Sequence, residues 1–183
     1  MFELKETSIH GCFEVRPLIF DDTRGRFVKV FHQDEYRKLG LETLFTEEYY
    51  SQSNRGVIRG MHFQTPPFEH VKVVFCVQGE VQDVVLDLRK GSSTYGQSTP
   101  IHLSAQQGNF VYIPKGLAHG FCVTSETATL VYKVSTVYNP NNDTGVLWDS
   151  FGFKWPTLNP IISERDASFK PLSQFDSPFE YEQ

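Results

Sequence analysis

The chain has 183 residues, 39% of them hydrophobic, enough for one well-buried core and with no stretch that asks for a second domain of comparable size. Its 17 Lys and Arg against 22 Asp and Glu give a net charge of −5, and no basic cluster can neutralise a run of phosphates, which excludes a nucleic-acid surface as the main partner. A small anionic ligand held by two or three placed cations remains within reach.

Met1-Phe-Glu-Leu-Lys-Glu-Thr7 lacks the basic region and apolar core of a signal peptide, and no apolar run approaches the length of a membrane span. A cytoplasmic protein with no membrane partner is the expectation. Cys12, Cys76 and Cys122 are odd in number and widely spaced, and two sit in apolar strand-like runs, so they are expected to be reduced core residues.

Edge strands near the N-terminus come first, and could pair with a second copy across a two-fold axis. Period-two apolar patterns then follow, broken by Gly, Pro, Asn and Ser about every 8–12 residues, which predicts an all-β sandwich or barrel. The clear strands fall at about 26–31, 44–52, 57–63, 71–77, 80–88, 99–104, 109–113, 119–124, 127–137 and 145–148. A short helix from about Asp34 to Leu39 has an acidic first turn, Arg37 and Lys38 near its end, and Gly40 as its stop. Residues 149–183, rich in aromatics and turn formers, are expected to pack back on the barrel as loops and short helical turns. The last dozen, around Pro178, are expected to fray.

Two stretches stand out. Gly108-Asn-Phe-Val-Tyr-Ile-Pro114-Lys-Gly116-Leu-Ala-His119-Gly reads as a strand entered through glycine, stopped by proline, and turned at Gly116 into a second strand at His119. With Arg59-Gly60-Met61-His62-Phe63-Gln64 it predicts two histidines on consecutive hairpins of one barrel, at a mouth with polar residues aimed inward. Strict alternation would put Arg59 and His62 on opposite faces, and Gly60 offers a bulge that re-aims them.

Alternation groups Leu130, Tyr132, Val134 and Tyr138 on one face, so Tyr132 reads either as a core tyrosine with a backbone partner or as a site residue. Lys72 interrupts the apolar run Val71 to Val77; it either snorkels from an edge or points into a cavity where an anion or enolate can use it. Asp83 and Asp87 lie opposite Val84, Leu86 and Leu88, which makes one face of that strand unusually polar. Taken singly, each of these has a structural explanation. Taken together, His62, Lys72, His119 and Tyr132 on successive apolar strands point to convergence on a common interior. A metal site is the competing reading, but there is no His-x-His pair, and His70, Glu80 and His119 do not make a compact ligand set; no metal is expected.

Gly108-x5-Pro114-x-Gly116-x2-His119 looks like the second cupin motif. Arg59-Gly-Met-His62-Phe-Gln, Gly79-Glu-Val-x-Asp83-Val-x-x-Asp87-Leu-Arg-Lys-Gly-Ser-x-Thr-Tyr-Gly96, Ile113-Pro-x-Gly-x-Ala-His119-Gly-Phe and Leu130-Val-Tyr132-Lys resemble the dTDP-4-dehydrorhamnose 3,5-epimerase family. The likeness runs from Asp22-x-Arg24-Gly25 to Ser163-Glu-Arg-Asp166. It implies a cupin-type jelly roll without cofactor or catalytic metal, usually a homodimer, acting on a nucleotide-linked 4-keto-6-deoxyhexose for a surface polysaccharide or another glycosylated product. By position, His62 matches the family's general base, Asp166 its carboxylate partner, Tyr132 the acid on the opposite face of the sugar, and Lys72 the cation beside the C4 oxygen. Arg59 and His119 match residues that hold the diphosphate and sugar. Arg24, Phe27, Lys29, Glu47, Tyr49, Tyr138, Asp143 and Arg165 match further substrate-binding positions.

These residue types suit the reaction. A 4-keto group acidifies the hydrogens on C3 and C5, and the enolate left by removing one needs a preorganised donor, worth about 3–4 kcal/mol in comparable oxyanion sites. Inversion then needs a base and an acid on opposite faces of the ring.

Departures concentrate at the nucleotide end. Lys29 in Arg26-Phe-Val-Lys29 stands where the family commonly has Glu, Glu47-Glu48-Tyr49 where it has Gln-x-Asn, and Phe75 where it has arginine. The reversal at Lys29 and Glu47 reads either as charge exchanged between neighbours or as selection of a base other than thymine. The expected activity is epimerisation at C5, with or without C3. The alternatives are a single-centre epimerase or 3,4-ketoisomerase on another nucleotide sugar, and a sugar-nucleotide-binding cupin without turnover.

Overall fold

The computed structural model describes residues 1–181. In chain order its strands are β1 (Phe2–Glu6), β2 (Phe13–Pro17), β3 (Ile19–Asp22), β4 (Gly25–Val28), β5 (Glu47–Asn54), β6 (Ile58–Gln64), β7 (Lys72–Gln78), β8 (Glu80–Asp87), β9 (Ser98–Ser104), β10 (Phe110–Ile113), β11 (Leu117–Val123), β12 (Thr127–Val134) and β13 (Asp143–Gly145). Two short helices, α1 (Gln33–Lys38) and α2 (Glu164–Ala167), and a 3-10 turn at Leu172–Gln174 complete the set. A six-stranded sheet, β1-β2-β10-β7-β12-β5, faces a five-stranded one, β13-β6-β11-β8-β9, and β3 and β4 form a separate hairpin. All the strand pairings are antiparallel. This is the cupin-type jelly roll that the alternating pattern and the resemblance predict.

Three apolar clusters explain why so many strands read as apolar on both faces. Val74, Cys76, Leu130 and Tyr132 of one sheet meet Val85, Ile101, Leu103 and Phe121 of the other. The outer face of the smaller sheet, with Met61, Phe63, Val84, Leu86 and Leu88, is covered by Phe151, Phe153, Trp155, Phe175 and Phe179 of the C-terminal segment. Behind the larger sheet, Val15, Val73, Phe110 and Tyr112 pack against Tyr36 of α1. Asp83 and Asp87 therefore face the interior: Asp83 meets His119, while Asp87 takes up Arg89, Ser92 and Thr94. The three cysteines are free and buried.

Several expectations need correcting. The ten predicted strands become thirteen, because β1, β2 and β3 lie outside the ten: all three are only four or five residues long, and β1 and β3 are largely exposed. The strand predicted at 26–31 stops at Val28, since the chain turns away so that Phe31 can pack edge-on against Tyr36, whose hydroxyl donates to Val30 O at 2.7 Å. The strand placed at 145–148 is β13, at Asp143–Gly145. His62 and His119 do not lie on consecutive hairpins; β6 and β11 are neighbouring strands, and the two histidines stand directly opposite each other. The last dozen residues do not fray as far as Tyr181: Phe179 is 4% exposed and Tyr181 N donates to Lys90 O at 2.9 Å. Residues 182 and 183 lie outside the described residues.

The bulge at Gly60 is present and sets the site. Between His119 and Phe121 of β11 the partners on β6 step from His62 to Arg59, three residues against two, so Arg59 and His62 come to face the same interior. Gly60 has φ +148°, and a Cβ there would sit 2.6 Å from Gly120 Cα. Gly60→Ala is expected to lower stability by about 1–3 kcal/mol through backbone strain alone and to remove activity by turning His62 off its line. Urea unfolding alongside turnover would check this; unchanged values for both would show that the bulge does not depend on glycine.

Candidate active site

A cavity of about 430 Å³ opens between the two sheets. From β6 come Arg59 and His62, from β7 Lys72, from β11 His119 and from β12 Tyr132; Glu47 and Tyr49 of β5, together with Tyr138, Asp143 and Arg165, line the outer end. Asp166 lies behind His62. Phe75, by contrast, packs with the cluster behind the larger sheet.

His62 Nε2 is 2.8 Å from Asp166 Oδ1, and Gly60 N donates to Asp166 Oδ2 at 3.2 Å. Ser163 caps α2 by accepting from Asp166 N, which fixes the carboxylate where the ring needs it. Burial pushes the Asp166 carboxyl up, but the hydrogen bond and charge of His62 and the donor at Gly60 outweigh it and hold it below the usual carboxylate range. A carboxylate can only accept, so His62 Nε2 carries the hydrogen and Nδ1 is the basic nitrogen.

Tyr132 is 6% exposed, and its hydroxyl meets Ser51 Oγ at 2.9 Å, a side chain rather than the backbone partner a core tyrosine would take. Its ring stacks on Tyr49 at 4.8 Å. Burial raises its pKa well beyond the ordinary phenol range, so it stands as a neutral proton donor. Lys72 is 7% exposed and does not snorkel. Burial lowers its pKa to about 8, with Asp143 and Asp83 opposing.

If the ammonium is the form that stabilises the reacting oxygen, kcat/KM falls as pH rises through about 8, about tenfold per unit beyond it. Lys72→Arg, whose guanidinium does not titrate there, flattens that limb. A pH–rate profile of both proteins checks it, and a limb that persists in the variant assigns the ionisation elsewhere.

His119 donates from Nε2 to Asp83 Oδ2 at 2.6 Å; burial, partly offset by Asp83, keeps its pKa below the ordinary value. Arg59 Nε donates to Ser53 Oγ at 2.9 Å. At the outer end Arg165 pairs with Asp143 at 2.6 Å, and Tyr138 N donates to Glu47 Oε2 at 2.7 Å.

Arg24, Phe27 and Lys29 are not brought to this cavity by their own chain. Arg24 pairs with Asp22 on the exposed β3–β4 hairpin, and Phe27 is 58% exposed beside Phe20. Among the described residues no ion pair joins Lys29 to Glu47. Ser51, Ser53, Gln64, His70 and Asp83 were missed as site residues. The first two were open to the alternation argument, because Glu47, Tyr49, Ser51 and Ser53 share one face of β5 opposite Tyr132.

A proton acceptor, a neutral phenol and a buried amine around one cavity of a jelly roll define an isomerase working by proton transfer. The sequence model of the dTDP-4-dehydrorhamnose 3,5-epimerase family matches residues 6–174, and the chain belongs to that family. A dTDP-4-dehydrorhamnose 3,5-epimerase of Shigella flexneri is 39% identical over 166 residues, covering 89% of this chain and 92% of that protein. A dTDP-4-dehydrorhamnose 3-epimerase of Streptomyces niveus is also 39% identical, over 174 residues, covering 93% and 84%. The crystal structure of dTDP-6-deoxy-D-glucose-3,5-epimerase from Legionella pneumophila Philadelphia 1 in complex with dTDP-4-keto-L-rhamnose superposes with a TM-score of 0.95 at 33% identity over 100% of both chains.

Proposed function

We propose that the enzyme inverts C5 and C3 of a dTDP-linked 4-keto-6-deoxyhexose, with His62 as base, Tyr132 as acid and Lys72 at the C4 oxygen. The observation that carries this reading is the His62–Asp166 hydrogen bond at 2.8 Å beside a neutral, buried Tyr132. His62 Nδ1 takes the hydrogen from carbon, and the electron pair moves onto the C4 oxygen as an enolate that the Lys72 ammonium meets at close range. Tyr132 then delivers a proton from the other face. Asp166 stabilises the imidazolium while it lasts. Arg59 and His119 hold the diphosphate and sugar, and Glu47, Tyr49, Tyr138, Asp143 and Arg165 form the outer end.

The unused hairpin supports a homodimer. Leu18, Phe20 and Phe27 are exposed by more than half, and a second copy that covers them can carry Arg24, Phe27 and Lys29 to the mouth of its partner's cavity. Lys29 then supplies a counter-charge for Glu47, which has no ion-pair partner among the described residues.

The test is NMR of dTDP-4-keto-6-deoxyglucose with the protein in D2O. Deuterium entering both C3 and C5 is the expected result. Exchange at C3 alone would assign the chemistry of the Streptomyces niveus relative, and no exchange would refute the dTDP substrate and direct the same assay to CDP-, GDP- and UDP-linked sugars.

A further inference from the structure

Behind Lys72 the cavity continues into a second space of about 10 Å³, the size that accepts one water centre. His62, His70, Lys72 and His119 line both spaces. On its far side the small space shares Glu69, Gly116 and Phe179 with a groove on the outside of the barrel, where Glu69 Oε1 lies 3.6 Å from Lys115 Nζ. The reaction site thus has a rear wall one water thick, with a carboxylate at its outer end.

Two polar atoms in that wall are buried without a hydrogen-bond partner: Glu69 Oε2 and His70 Nε2. Their chemistry is complementary. Gln64 Oε1 accepts from Asn139 N at 2.6 Å, which turns the Gln64 amide nitrogen toward His70 Nδ1 at 3.3 Å. Two donors cannot face each other there, so Nδ1 accepts and Nε2 bears the hydrogen. One buried donor and one buried acceptor on a water-sized space are what a bound water satisfies, and leaving both unmet would carry the full desolvation cost of each. His70 remains neutral throughout, because burial and then the nearby Lys72 lower its pKa to about 3.

We propose that this space is a rear proton port, in which one water held by His70 and Glu69 carries away the proton that His62 has taken from the sugar. The port answers a need of the reaction. After each inversion His62 holds one proton too many and Tyr132 one too few, and the sugar nucleotide blocks the front of the site until it leaves. Through the port, His62 Nδ1–H passes its proton to the water as the water gives one of its own to Glu69 Oε2, and Glu69 releases it to the outer groove. Tyr132 regains a proton from bulk solvent through Ser51 on the sheet edge, 2.9 Å away. One proton leaves, one enters, and no electrons are transferred. The inference rests on His62 being the base.

Glu69→Gln keeps the size and hydrogen-bonding capacity of the side chain but cannot take up a proton. Its kcat is expected to fall about tenfold with KM unchanged, and to recover as imidazole is added at fixed pH and ionic strength, whereas the wild type does not respond. A merely structural role for Glu69 would show no such rescue. Glu69→Gln turning over within about twofold of wild type, or a loss that imidazole does not relieve, overturns the port. His62→Asn, measured alongside, separates the two readings: if it retains turnover, the base assignment falls and takes the port with it; if it is inactive while Glu69→Gln is normal, the port alone falls.

Discussion

His62→Asn is expected to lower kcat by about 10²–10⁴, the range for removal of a positioned general base, while leaving KM within about twofold. That loss corresponds to about 3–5 kcal/mol of barrier. The split follows from the proposed roles: His62 would act on a hydrogen leaving carbon, whereas Arg59, His119 and the outer residues, which line the same cavity, are untouched by the substitution. Asparagine removes the basic nitrogen but its amide is too short to reach Asp166 Oδ1, which His62 Nε2 meets at 2.8 Å, so His62→Gln, whose longer amide can still donate there, is measured beside it. Asp166 is only 4% exposed, so His62→Ala would strand that oxygen and add about 1–3 kcal/mol of destabilisation that confuses the measurement. Steady-state kinetics with a direct binding titration decide it. Turnover equal to wild type in His62→Asn would sink the assignment of the base.

What could be read before the structure follows from what each residue's neighbours along the chain can say. The barrel was legible because alternation is a local property of a strand, and the four interior polar residues stood out against apolar neighbours. The Gly60 bulge was legible as a need, since Arg59 and His62 could share a face only through an extra residue. Two kinds of information were not local. Asp83 and Asp87 marked one face of their strand as unusually polar, but nothing nearby in sequence shows that the C-terminal aromatics cover the other side of β8 and so leave the polar face inward. His70 looked like a spare metal ligand; its tautomer is set by Gln64, whose own orientation depends on Asn139, a residue 75 positions away. Arg24, Phe27 and Lys29 mark a third gap, because their positions in the sequence do not show that the fold leaves them away from the cavity.

In Tyr132→Phe, exchange of the sugar hydrogen with solvent is expected to continue while inversion is lost. His62 alone can remove the proton and return it, or a deuteron from D2O, to the same face; only delivery from the opposite face changes configuration. The ratio of inversion to exchange is therefore expected to fall by about 10² or more, the contribution of a positioned acid. The ring should stay in place, because phenylalanine keeps the stack on Tyr49 at 4.8 Å and the edge contact with His119 at 6.2 Å. The lost bond to Ser51 costs about 1 kcal/mol of stability, which thermal unfolding would register separately. NMR of the sugar in D2O reads both quantities from one sample, exchange as loss of the proton signal and inversion as the appearance of the new diastereomer. Exchange and inversion falling together would remove Tyr132 from the opposite face and leave it as a wall of the cavity. Inversion persisting at full rate would require a different donor there, and Tyr49, stacked on the same ring with its phenol pKa raised by burial to about 12, is the group to substitute next.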